Sequence, residues 1–145
     1  MHEIHTEIII DASKEVIWEI LTDFPAYAQW NPFIVRVMGN ASPGQRLVFV
    51  ARVKLALVPV AAKILQFKEY EKFSWGGPGV SALGALFGAE HSFAIEELQP
   101  GRCRFINREQ MRGVVAHAFW PLIAGSKPAY SAMNEALKAR AEGIR

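Results

Sequence analysis

His91 and Glu109 are the side chains whose types and spacing best suit chemistry, and they lie on either side of the turn segment Gln99-Pro100-Gly101. Centring a hairpin on Pro100 sets His91 opposite Glu109, Phe93 opposite Asn107 and Ile95 opposite Phe105. Side chains alternate along a strand, so these residues share one face, and Phe93, Ile95, Phe105 and Met111 mark that face as inward. Arg102, Arg104, Arg108 and Arg112 then point to solvent. An ionised carboxylate on an apolar wall is costly unless paired, and an imidazolium is a suitable partner. Two readings follow. In one, the pair is a general acid/base or a polar anchor for a ligand carbonyl or hydroxyl. In the other, it is a satisfied polar bridge between two central strands. A one-residue slip of register would send both groups outside.

The remaining candidates are aromatic or amphipathic. A tight turn at Glu71 sets Trp75 opposite Phe67, which makes an aromatic patch on the same wall or ordinary core. Trp30 and Asn31 open a strand, where they line a mouth or simply cap and pack. Tyr130 and Asn134 lie four apart on a helix that also carries Met133 and Leu137, so a hydroxyl and an amide share an apolar side. Phe119 belongs to an apolar connection before that helix. No metal is expected, because His2, His5, His91 and His117 lack ligand spacing and Cys103 is the single cysteine. No cofactor is expected either. Gly76-Gly-Pro-Gly79 does not open a helix as a phosphate loop would, and no nucleophile elbow occurs.

The elements that must position these residues follow from period and punctuation. His2–Ile10 reads as a strand, and Asp11-Ala-Ser13 supplies a helix start for the stripe Val16, Ile17, Ile20 and Leu21. Phe24-Pro25 interrupts, and Tyr27–Trp30 reads as a second short helix before Asn31-Pro32. Strands are expected at Phe33–Met38, Arg46–Leu55, Ala61–Tyr70, Lys72–Trp75, Phe87–Leu98 and Arg102–Gly113, an antiparallel meander to which the first strand adds. Ser126–Arg145 reads as a long helix with Ser126 as cap and Pro128 in its first turn. Its stripe is Tyr130, Met133, Leu137, Ala141 and Ile144, with Glu135, Lys138 and Glu142 elsewhere. A stripe of about five turns needs an upstream wrapping.

Alternate meander connections lie at one end of the sheet. Gly39–Gln45, Glu71 and Gln99–Gly101 form a polar end, while Leu55–Val60, Gly76–Leu86 and Gly113–Lys127 form an apolar one. Loops are ordinarily polar, so a ring of apolar loops asks for a reason, and a cavity mouth supplies one.

Composition sets the outer bounds. A chain of 145 residues with 51 % hydrophobic and 11 % aromatic content is expected to form a single domain, residues 1–145, with a full core. The formal charge of +2 is too small to predict nucleic acid or an anionic membrane as partner. With one cysteine, no basic leader and no apolar run near the ~20 residues of a span, a cytoplasmic protein without stable membrane insertion is expected.

Several phrases carry a resemblance. Val16-Ile17-Trp18 with Leu21-Thr-Asp-Phe24, then Tyr27, Trp30-Asn-Pro-Phe33, Gly88-Ala-Glu-His-Ser-Phe93, Glu109 with Gly113, and Asn134-Glu-Ala-Leu-Lys138 occur in an order that resembles the START/Bet v 1-like (SRPBCC) superfamily. They are most similar to its bacterial polyketide cyclase/dehydrase-like branch. The resemblance implies an α+β helix-grip fold: a curved seven-stranded antiparallel sheet around a long C-terminal helix, with two short helices between strands 1 and 2. It also implies an apolar cavity used by relatives for lipids, polyketides and other hydrophobic molecules. The Gly76–Leu86 segment is unusually apolar for that pattern, and Gly39–Gln45 lacks the glycine-rich loop of the plant allergen branch.

The expectation is therefore a non-enzymatic binding module for a small hydrophobic molecule. One alternative is a cyclase/dehydratase that uses His91 and Glu109 as acid and base. The other is an interaction module or homodimer joined through the apolar loops.

Overall fold

The computed structural model describes residues 2–77 and 88–144. The first strand, β1 (His2–Ile10), leads into α1 (Lys14–Thr22) and a 3-10 helix (Phe24–Gln29). The meander follows as β2 (Ile34–Met38), β3 (Arg46–Val53), β4 (Ala56–Lys68), β5 (Lys72–Gly77), β6 (Gly88–Gln99) and β7 (Arg102–Arg112). Two single-turn helices, α2 (Val114–Ala118) and α3 (Trp120–Ala124), precede the long α4 (Lys127–Ile144). All strands join one antiparallel sheet in the order β1-β7-β6-β5-β4-β3-β2, so β1 closes onto β7 while β2 forms the opposite edge.

Local chemistry explains the entry into the sheet. Ser13 Oγ accepts from Val16 N at 3.2 Å and caps α1, which buries Ile17, Trp18, Ile20 and Leu21. Asn31 Oδ1 accepts from both Phe33 N and Ile34 N, so its role is to turn the chain into β2. On α4, Tyr130, Met133, Leu137 and Ala141 are buried, as the stripe predicts. The Ile144 side chain, the Gly76–Leu86 connection beyond Gly77 and the expected strand start at Phe87 lie outside the described residues. The arginine face of β7 is solvated and paired: Arg104 meets Glu96 and Glu7, Arg108 meets Glu3, and Arg102 meets Asp11.

Several expectations need correction. The β3–β4 connection is a tight turn at Lys54-Leu55, with Lys54 at φ 56°, so Leu57, Val58 and Val60 are strand residues paired with β3 rather than loop residues. The β4–β5 turn centres on Tyr70 rather than Glu71, so Phe67 opposes Phe73, and a bulge at Leu65 then sets Ile64 opposite Trp75. An extra residue of this kind leaves no trace in strand alternation. Gly113–Lys127 is helical in two pieces rather than an open loop. The Ser126 hydroxyl donates backward to Ile123 O at 2.6 Å and joins α3 to α4.

Candidate functional site

The hairpin register expected around Pro100 is the one observed: His91 opposes Glu109, Phe93 opposes Asn107 and Ile95 opposes Phe105. His91 Nδ1 stands 3.6 Å from Glu109 Oε1, and both side chains are largely removed from solvent. Glu109 Oε1 also accepts the Tyr130 hydroxyl from α4 at 3.2 Å.

The far side of the imidazole is held by a chain of amides. Thr6 Oγ1 donates to the Asn107 carbonyl at 3.0 Å, which can only accept. That leaves Thr6 Oγ1 to accept from Asn134 Nδ2 at 2.9 Å, and Asn134 Oδ1 to accept from Asn107 Nδ2 at 2.9 Å. Asn107 Oδ1, 2.6 Å from His91 Nε2, is then an acceptor, so His91 Nε2 carries the hydrogen. Each bond fixes the direction of the next, and the consequence is an Nδ1 lone pair facing Glu109.

Burial sets the charges. Desolvation lowers the His91 pKa from 6.5 to about 4, against the opposing Asn107 hydrogen bond. Desolvation raises Glu109 from 4.5 to about 8; the Tyr130 hydrogen bond works against this, and the charge of Glu90 adds to it. At neutral pH the site is thus a neutral imidazole beside a protonated carboxyl group, not the imidazolium–carboxylate pair expected from residue types. The reason is solvation: in this apolar wall two neutral partners cost less than two ions.

These groups border a cavity of about 340 Å³ between the sheet and the α3–α4 corner. Of the residues singled out from sequence, Trp75, His91, Glu109, Met111 and Tyr130 line it. Phe93, Asn107, Met133, Asn134 and Leu137 are buried behind the wall, where Asn107 and Asn134 hold His91 and the others pack. Phe67 lies away from the cavity against Trp18, with ring centroids 5.5 Å apart, because the β4–β5 turn centred on Tyr70 pairs it with Phe73 rather than Trp75. Trp30 borders a separate hollow of about 180 Å³ with Asp23 and Arg140. Phe119 is exposed beyond the mouth.

The sequence reasoning passed over Phe33, Phe49, Ala51 and Ala62, which complete the apolar lining. The alternation of Phe49, Ala51 and Val53 along β3 was the available signal. Phe49 stacks on Trp75 at 5.1 Å. Among the described residues the buried Trp75 indole N–H meets no acceptor, and Trp75 lines the cavity. Gly76 is needed beside it, since a Cβ there would strike the Ala89 carbonyl on β6. Among the described residues no cluster of His, Cys, Asp and Glu could hold a metal ion, and no helix is long and apolar enough to cross a membrane.

Solved structures share this architecture at low sequence identity. The Zhui aromatase/cyclase from Streptomyces sp. R1128 superposes with a TM-score of 0.78 at 14% identity, over 99% of this chain and 96% of that one. A START superfamily protein from Mycobacterium smegmatis gives 0.74 at 22% identity, over 100% of both chains. Norcoclaurine synthase from Thalictrum flavum gives 0.74 at 13% identity, over 99% of this chain and 95% of that one. No curated protein sequence matches the chain. The sheet, the gripped helix and the lined cavity agree with the match of residues 1–142 to one family model, and the chain belongs to that family, described as polyketide cyclase/dehydrase and lipid transport.

Proposed function

We propose that this protein binds a small, oxygen-bearing hydrophobic molecule in the cavity beneath α3. The observation that carries this reading is an apolar chamber with unspent hydrogen-bonding capacity at one end: the Glu109 carboxyl donor, the His91 Nδ1 acceptor and the Trp75 N–H. A ligand carbonyl or hydroxyl satisfies them, and the aliphatic or aromatic remainder lies against Phe33, Phe49 and Ala62. The buried thiol of Cys103 supports a cytoplasmic setting.

A second reading is favoured by the 3.6 Å spacing of Glu109 and His91. A neutral acid beside a neutral base can protonate a ligand carbonyl and remove a neighbouring C–H proton, as an aldol cyclisation or dehydration requires.

Native mass spectrometry of the purified protein tests the binding reading. Wild type should carry or take up an apolar adduct, and Ala62→Phe, which fills the chamber, should not. A protein that takes up no apolar molecule overturns the reading, and a dimer without adduct would assign the apolar end to self-association. Incubation with a poly-β-ketone tests the second reading: Glu109→Gln should bind as wild type does and lose turnover.

A further inference from the structure

The small net charge of +2 conceals two neighbouring connections that carry cations and no carboxylate. Arg52–Val60, around the β3–β4 turn, and Arg112–Lys127, from the end of β7 to α4, lie at one end of the sheet. Together they contain Arg52, Lys54, Arg112, His117 and Lys127 and no carboxylate. The turns of the opposite end are of mixed sign, with Glu69, Glu71, Glu96 and Glu97 beside Arg46, Lys68, Lys72 and Arg102. Arg52, Lys54 and Lys127 form no ion pair among the described residues.

The same end exposes large apolar side chains. Leu55, at the tip of the β3–β4 turn, is 100% exposed, Val114 68%, Leu122 66% and Phe119 56%. Exposed apolar groups of this size, interspersed with unpaired cations, fit the boundary between lipid headgroups and acyl chains. Arg52 and Lys54 also border a hollow of about 540 Å³ with Pro121, Leu122 and Gly125, and this hollow shares Phe33, Val53, Leu122 and Ser126 with the cavity wall.

We infer that this end docks peripherally on an anionic lipid surface, with Leu55, Phe119 and Leu122 in the headgroup–acyl boundary and Arg52, Lys54 and Lys127 on lipid phosphates. The mouth of the cavity then faces the bilayer, so that a hydrophobic ligand passes between them without crossing water. The purpose of docking rests on the binding function proposed above, while its geometry does not. A protein partner is less suited, because the apolar groups stand on separate projections rather than on a continuous flat face.

Vesicle flotation tests this directly. Wild type should partition about a hundredfold more strongly onto phosphatidylcholine vesicles containing about one quarter phosphatidylglycerol than onto phosphatidylcholine alone, given three cations at the surface. High salt should remove the preference. Leu55→Asp should weaken binding to both vesicles, Arg52→Glu with Lys54→Glu should abolish the anionic preference, and Lys68→Glu at the opposite end should change neither. Because these side chains are exposed, thermal melts of the variants should match wild type. Absence of wild-type binding, or binding untouched by the Leu55 and Arg52/Lys54 changes, overturns the inference and leaves the surface to a protein partner. Uptake of the uncharged probe N-phenyl-1-naphthylamine, measured without vesicles, reports the cavity separately: vesicle binding without uptake keeps the docking and defeats the ligand reading, and uptake without vesicle binding does the reverse.

Discussion

His91 Nδ1 and Glu109 Oε1 face each other at 3.6 Å across the β6–β7 ladder, too far for a direct hydrogen bond and close enough to act on one ligand oxygen. The Glu109 proton and the His91 lone pair are both kept available by burial, and stability should record that cost.

Between pH 4 and 6.5 the unfolded chain holds more protons at His91 than the folded one, so His91 makes stability rise with pH. Between pH 4.5 and 8 the folded chain holds more protons at Glu109, so Glu109 makes stability fall with pH. The two slopes oppose each other up to pH 6.5, and only the fall remains above it. Urea midpoints should therefore be level through mildly acidic pH and then decline, with a loss of about 2 kcal/mol on approaching the Glu109 pKa. Glu109→Gln should remove the decline and reveal the His91 rise. A wild-type midpoint that stays level through the alkaline limb would contradict the buried neutral carboxyl.

The Asn107 side chain orients His91 on β6 and ties it to Asn134 on α4, so Asn107→Leu should cost about 2–4 kcal/mol by leaving the Asn134 amide and the His91 N–H unpaired. Nitrogen-15 NMR of the imidazole should show the Nε2–H tautomer in wild type and a mixture in the variant. An unchanged tautomer would remove Asn107 from this role.

Wall and core should separate under substitution. Leu137 is fully buried behind the cavity, and Leu137→Ala should cost about 2–5 kcal/mol while leaving probe affinity near wild type. Ala62→Phe should leave stability within about 1 kcal/mol and abolish probe uptake, because its added volume goes into empty space. Denaturation and fluorescence titration of both proteins check the pair of outcomes.

Gly76→Ala places a methyl group against the Ala89 carbonyl in the neighbouring strand. The expected effect is a loss of about 1–3 kcal/mol with the β5–β6 ladder displaced next to His91. A melt indistinguishable from wild type would show that the strands can part at no cost.

Much of this molecule was legible in its residues. Alternation through His91, Phe93 and Ile95, with a turn residue at Pro100, was enough to pair His91 with Glu109, because a hairpin register depends only on local spacing and the turn. The 3.6-residue stripe of α4 identified Tyr130, Met133 and Leu137 as buried for the same reason. The β4–β5 turn centres on Tyr70, one residue before the expected Glu71, and so pairs Phe67 with Phe73 and keeps it off the cavity wall. The sequence also left open whether His91 and Glu109 are charged, and here the tertiary structure decided. Ionisation depends on how much water the fold removes, and the tautomer depends on Thr6 and Asn134 reaching Asn107 from distant parts of the chain.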